Sequence, residues 1–289
     1  MALPSQWALT SLSGGRMHKL PAELLTKTIK VAVIGAGGTG SQVVTMLTQL
    51  DHAMRNTGHP GGLQVEVIDD DVVSESNIGR QNFYPTDVGH PKAAVLVHRI
   101  NMSMGLKWKA SICRLTASDR LDHDLVLGCV DTRKARLAIL RAMERGTNGL
   151  SYWLDFGNRR DSGQAVLGQV SKAGRKLNPD GKLPHVGELL PEVIDPDYVD
   201  PEEGPSCSLA EALTKQSLFI NRAVAVHGMS MLAELFRSGG LSHHGVFVNL
   251  ATGITTGLKV SPEDWARFGY GRTKSHFRVR RKAQPELVH

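Results

Sequence analysis

Four glycines and a string of polar side chains hold most of the chemistry in this sequence. Gly35-Ala36-Gly37-Gly38-Thr39-Gly40 follows directly on residues 31–34, an apolar, β-branched run. A stretch with helical spacing, 41–50, comes next. Strand, glycine turn, helix is the context in which G-x-G-x-x-G holds a phosphate. Gly35, Gly37, Gly38 and Gly40 would let backbone N–H groups approach it, and the helix N-terminus favours negative charge. Many dehydrogenases share the motif, so it does not by itself separate a dinucleotide from a triphosphate.

The next residues narrow the choice. Residues 65–68 read as a second buried strand, and Asp69-Asp70-Asp71 ends it. A carboxylate there can bind ribose hydroxyls, which makes Asp69 a candidate with Asp71 beside it. An insertion at 52–62 explains why the carboxylate comes later than about 20 residues after the glycines. Asn77, Arg80 and Gln81 follow, and Lys92 comes after a Gly-His-Pro turn. Hydride transfer has no use for this cationic string. A triphosphate site does, because Arg and Lys neutralise phosphoryl charge and steady a leaving pyrophosphate. Pro91 suits the start of a helix running to about 102. Lys92 then lies in its first turn, where a cation gains nothing from the helix dipole.

These residues need elements to position them. The patterning predicts strands at 108–115 and 125–130, a helix at 132–144, and strands at 151–157 and 164–170. Residues 173–206 have no periodicity and read as a long loop, whose second half, 188–203, holds seven acids. A helix is predicted from Ser206 to about 236, and 245–260 reads as a closing hairpin. Asp131 ends a strand at the sheet's carboxyl edge, where ligands bind in open α/β folds. It could equally cap the helix that follows. Cys113 and Cys129 read as small buried hydrophobes within strands. Cys207 falls in a first helical turn, where the dipole favours a thiolate. Either a nucleophile or a packed, inert thiol fits that place.

The composite string resembles the ThiF/MoeB family, relatives of the ubiquitin-activating enzymes. That pattern resembles G-x-G-G-x-G, then D-x-D-x-V-x-x-S-N-hydrophobic-x-R-Q, then G-x-P-K, and all of it is here from Gly35 to Lys92. D-N-x-x-x-R is similar to Asp131-Thr132-Arg133-Lys134-Ala135-Arg136, with Thr132 in place of asparagine. WLDFGN, GQAVLG and PSCSLAEAL further resemble the ThiF proteins of the PRTRC plasmid-associated system. The resemblance implies a single Rossmann-like α/β domain with a mostly parallel mixed sheet over 30–262, with 173–206 as a crossover loop. Residues 1–29 would be an N-terminal extension and 263–289 a basic tail. It also implies ATP-dependent adenylation of the C-terminal glycine of a small ubiquitin-like or sulfur-carrier protein of β-grasp fold. Arg80 and Lys92 would hold the triphosphate, Asp131 magnesium, Asp69 the ribose, and the chain would form a homodimer. An arginine before the first strand, here Arg16, reaches the partner's ATP site in such proteins, though here the flanking residues differ. An NAD-dependent oxidoreductase and a non-catalytic partner-binding protein remain open alternatives.

Composition bounds the rest. The chain has 289 residues and 41% apolar side chains, enough for one large α/β core. No run of about 18 apolar residues suggests a membrane span, and the first residues do not read as a signal peptide. Three scattered cysteines suit a reducing cytoplasm and cannot supply the zinc site of paired C-x-x-C motifs. Six Lys or Arg at 272–282 account for the whole net charge of +6. The fold itself is therefore not basic, and nucleic acid is an unexpected partner.

Overall fold

The computed structural model describes residues 16–173, 182–195, 197 and 217–271. The central element is β2, Ile29–Ile34, buried at every position but Lys30. β3, Leu63–Ile68, pairs parallel on one side of it, and β5, Leu125–Gly128, on the other. β4, Lys109–Ser111, extends the β3 side, and β6, Leu150–Asn158, extends the β5 side. β-branched and leucine side chains on both faces of these strands suit a doubly covered parallel sheet. Beyond β6 the direction alternates. β7 (Ser162–Ser171), β9 (His243–Asn249) and β10 (Ile254–Lys259) add antiparallel pairs, and the eight strands run 10-9-7-6-5-2-3-4. The mixed sheet and the hairpin at 245–260 agree with the sequence.

Among the described residues, four helices of three turns or more position the strands. They are α1 (Gly38–Asn56), α2 (Lys92–Met104), α3 (Arg133–Glu144) and α5 (Ile220–Ser238). β3 and β4 lie on one side of β2 and β5 and β6 on the other. The order therefore reverses beside β2, which is where such folds bind ligands at strand carboxyl ends. Register sets that edge: Ile34 faces Ile68 and Gly128, and Gly128 faces Asp155.

Several expectations need correction. The strand predicted at 108–115 is the three-residue β4, and Cys113 lies outside it, exposed. Cys129 lies one residue past β5, where burial raises its thiol pKa. The segment around 173–206 is not wholly irregular. α4 (Val186–Leu189) and a 3-10 turn, Pro191–Ile194, form there, with Leu183, Val186 and Leu189 buried. A helix continuous from 206 is not found: residues 217–219 turn, and α5 starts at Ile220. Cys207 and the basic stretch 272–282 lie outside the described residues. Before β2 the chain adds a short strand, β1 (His18–Lys19), paired with β8 (Gly240–Leu241). Among the described residues no helix is long and apolar enough to cross a membrane.

Packing continues into α6, Pro262–Ala266, through a buried Trp265. Its indole N–H donates to His244 Nε2 at 2.7 Å, so His244 Nδ1 carries the proton it gives to the Leu167 carbonyl, also at 2.7 Å. Burial holds this imidazole neutral and pushes its pKa down to about 4. An unfolded histidine titrates near 6.5, so the unfolded state takes up the proton first as pH falls. The His244 contribution is thus complete above about pH 6.5 and is lost as pH drops from there towards 4. His185, also near 4 because of burial, adds to the same window. The Trp265→Phe variant should be less stable at pH 8 by about 1–3 kcal/mol and should lose part of that acid sensitivity. Urea unfolding at pH 8 and pH 5 measures both, and equal losses at the two pH values would contradict this account.

Candidate nucleotide site

Three strand ends meet at the carboxyl edge of the sheet. Gly35 leaves β2 with φ +93°, in the left-handed region that glycine enters freely. A Cβ on it would stand 2.6 Å from the Cys129 carbonyl, so the ends of β2 and β5 touch here. Gly40 crosses back over Gly35, and a Cβ there would lie 1.9 Å from the Gly35 carbonyl. Gly38 packs against the Asn221 side chain, whereas a Cβ on Gly37 would meet nothing within 4 Å. Gly37 therefore borders open space at the start of α1. The first N–H groups of α1 have no partner within the helix and are available to an anion.

The three aspartates after β3 divide their work. Asp69 accepts the Ala36 N–H at 2.6 Å through Oδ2 and the Asp71 N–H at 2.9 Å through Oδ1. It fixes the glycine loop to the end of β3, and its oxygens retain lone pairs for a hydroxyl. Burial raises its pKa, against those two hydrogen bonds and nearby Lys92. Asp70 is exposed and pairs with Arg114. Asp71 holds Lys92: Nζ lies 2.8 Å from Oδ2, with the lysine side chain 8% and the aspartate 58% exposed. Asp71 therefore acts through Lys92.

Asn77 is buried and accepts the Ser74 N–H through its side chain, shaping the turn that presents Arg80 and Gln81. Arg80 is half-buried, which lowers its pKa, yet a guanidinium stays charged. Gln81 Oε1 is buried with no hydrogen-bond partner among the described residues, an acceptor left open beside Arg80.

Asp131 follows β5 at the same edge. It does not cap α3, because Thr132 does: its hydroxyl accepts the Ala135 N–H at 3.2 Å. The Asp131 side chain is exposed, with no hydrogen bond to the described residues. A carboxylate so placed fits Mg²⁺, which is commonly held by one or two carboxylates, substrate phosphates and water. Arg136, five residues on, is spoken for. It is buried and bonds both Asp155 oxygens, at 3.1 and 3.2 Å, along with the Asp131 and Phe156 carbonyls.

Some supports were not read from the sequence. Thr39 donates to Asn221 Oδ1 at 2.9 Å, and Asn158 Nδ2 reaches both, so α1, β6 and α5 are tied beside the glycine loop. Asn82 bonds Ser41, Thr45 and Gln42. Neither cluster has a local pattern, because its partners are far apart in sequence. Arg16 is elsewhere: with Lys19, Lys182 and Trp265 it lines a cavity of about 320 Å³. That cavity lies at the opposite edge of the sheet, where β9 begins and β10 ends.

Residues 17–152 match the sequence model of the ThiF family. It is 32% identical over 127 residues to the "Adenylyltransferase and sulfurtransferase UBA4" of Yarrowia lipolytica, covering 42% of this chain and 29% of that one. It is 28% identical over 130 residues to the "Ubiquitin-like modifier-activating enzyme 5" of Gallus gallus, covering 39% and 30%. The match thus spans less than a third of these relatives' length. Among solved structures the fold is similar to PaaA, with TM-score 0.52, 16% identity and 80% and 64% of the two chains covered. It is also similar to MccB of E. coli, with TM-score 0.50, 15% identity and 80% and 62% covered.

Gly37 and Gly40 should part company on substitution. Gly40→Ala forces its Cβ onto the Gly35 carbonyl and should lower the melting temperature. Gly37→Ala should melt as the wild type does yet bind nucleotide about tenfold more weakly or worse, since its methyl enters the space left for phosphate. Thermal unfolding and calorimetric titration separate the two, and a Gly37→Ala protein with undiminished affinity would mean the phosphates lie elsewhere.

Proposed function

We propose that this chain carries a ThiF-family domain and uses ATP to adenylate the C-terminal glycine carboxylate of a small ubiquitin-like or sulfur-carrier protein. One observation carries the reading. Lys92 is buried and held by an ion pair with Asp71, and Arg80 stands in the same loop system. Hydride transfer needs neither cation. The names of the relatives, an adenylyltransferase and a modifier-activating enzyme, point the same way. The family implies a homodimer as well.

The chemistry asks little of the protein beyond position and charge. A carboxylate is already a nucleophile at neutral pH, so no general base is required. Its oxygen attacks the α-phosphorus, the bond from that phosphorus to the bridging oxygen breaks, and pyrophosphate leaves. The product is the carrier's acyl-adenylate. The α1 N-terminus and the loop around Gly37 receive the phosphates. Asp69 accepts a ribose hydroxyl, a role compatible with its two backbone bonds. Arg80 and Lys92 offset charge gathering on the departing pyrophosphate. Asp131 would hold Mg²⁺, which would supply further charge neutralisation when bound. Cys207 is unnecessary to this step, so Cys207→Ser should keep pyrophosphate exchange.

Calorimetry should show Mg-ATP binding and no comparable NAD binding. NAD binding without ATP binding would falsify the proposal. With a β-grasp carrier ending in glycine, Arg80→Ala, Lys92→Ala and Asp131→Ala should each slow ATP–pyrophosphate exchange about 100-fold or more. Wild-type exchange rates in all three would remove the mechanism.

A further inference from the structure

The loop from Asp71 to Lys92 carries the cationic side chains but has little regular structure, only 3-10 turns at Glu75–Asn77 and Pro85–Asp87. Something must hold it. Its base is closed by backbone bonds: Val73 N–H to the His90 carbonyl, Gly89 N–H to the Val73 carbonyl, and Lys92 N–H to the Asp71 carbonyl, each 2.9 Å. Its inner side is strapped to α1 through Asn82. Phe83 anchors the next stretch in the core, but beyond it residues 84–88 lie mostly at the surface, with Tyr84 58% exposed and Val88 37%.

Arg99 fills that gap. It lies seven residues after Lys92 on α2, two helical turns along and on nearly the same face. Its Nη1 donates to the Asn82 carbonyl at 2.9 Å and its Nη2 to the Asp87 carboxylate at 2.6 Å. Its guanidinium carbon sits 4.5 Å from the centre of the Tyr84 ring. One planar cation thus joins three points of the loop to the helix that begins with Lys92. Asn82 follows Gln81 directly, so the bond to its carbonyl fixes the backbone that presents Arg80 and Gln81. The planar fork suits this bridging, and a lysine could not make all three contacts at once.

We propose that Arg99 is a positioning residue for the triphosphate: it touches no nucleotide and sets where Arg80 and Gln81 stand relative to Lys92. The inference rests on the ATP reading above. It also says which part of the nucleotide should register the change. AMP meets the glycine loop and Asp69, whereas the β- and γ-phosphates meet the cations of the strapped loop. Loss of Arg99 should therefore weaken ATP binding and spare AMP. Loss of fold would weaken both. Arg99 also lines an open surface groove of about 510 Å³, so truncating it enlarges a space already open to water and leaves no sealed cavity.

The test is calorimetric titration of the full chain with Mg-ATP and, separately, AMP, for wild type, Arg99→Ala and Arg99→Lys. Hydrogen exchange of segment 78–88 is followed without nucleotide. Arg99→Ala should bind ATP about 10-fold more weakly, the order expected for a misplaced charged contact, with AMP affinity within about twofold. Its 78–88 amides should exchange faster, and those of β6 and β7 should not change. Arg99→Lys, which keeps the pairing with Asp87, should fall between. If wild type binds ATP and Arg99→Ala keeps both affinities and slow exchange, the role of Arg99 is refuted. Equal weakening of ATP and AMP would also refute it, since that is general damage. A wild-type protein that binds no ATP would overturn the functional reading itself.

Discussion

The structure depends on one close approach. Gly40, at the start of α1, passes so near the Gly35 carbonyl that a methyl group in its place would stand 1.9 Å from that oxygen. Gly35 in turn presses on the backbone just past β5. No side chain can be inserted at either point without moving a strand or a helix. This contact puts the N-terminus of α1 directly over the junction where the strand order reverses. The proposed phosphate site, the carboxylates at the strand ends and the cationic loop are all arranged around an opening that exists because two side chains are missing.

Charge around that opening is kept in place by pairing. Arg136 and Asp155 form a buried ion pair, and such pairs seldom add stability once desolvation is counted. Its use here is geometric. Arg136 links Asp155 to the Asp131 and Phe156 carbonyls, so the backbone leading to Asp131 is braced against β6. Burial raises the Asp155 pKa and the Arg136 charge opposes that shift, so the carboxylate relies on its partner to stay ionised. Lys92 and Asp71 differ. There the lysine is buried and the aspartate faces water, so in the proposed role the cation would turn from a solvated carboxylate to an incoming phosphate without being left unpaired.

What was legible in the sequence was what local spacing encodes. The glycine turn, the aspartates after β3, the Arg-Gln pair, Lys92 and the closing hairpin all lie in short patterns tied to one element and its neighbour. The mixed sheet followed from those patterns and the family resemblance. Edge strands were less legible. β4 pairs on one side only and keeps three residues where eight were predicted, and Cys113 is exposed as a result. The alternative that Asp131 caps α3 falls away, because Asp131 and Thr132 are both good caps and only the observed hydrogen bond to Thr132 separates them. Thr39, Asn82, Asn158 and Asn221 were invisible because each works through contacts across the sheet or between helices. The segment 173–206 was also less legible: it lacks periodicity and reads as a loop, yet Leu183, Val186 and Leu189 are buried where α4 packs onto the sheet.

On the proposed adenylation, these observations give a reason for so much polar material around a site whose chemistry would need no general base. Adenylation gathers negative charge on a leaving group, so the demand falls on cations held at fixed distances from a fixed α-phosphorus. A flexible loop could carry the cations but not fix them. Here the loop is closed at its base by backbone bonds, tied on its inner side to α1 through Asn82 and on its outer side to α2 through Arg99. α1 and α2 are the helices that begin at the glycine loop and at Lys92. The loop's position is therefore referred to the same two helix starts that frame the proposed phosphate site, and a shift in either helix would carry the cations with it.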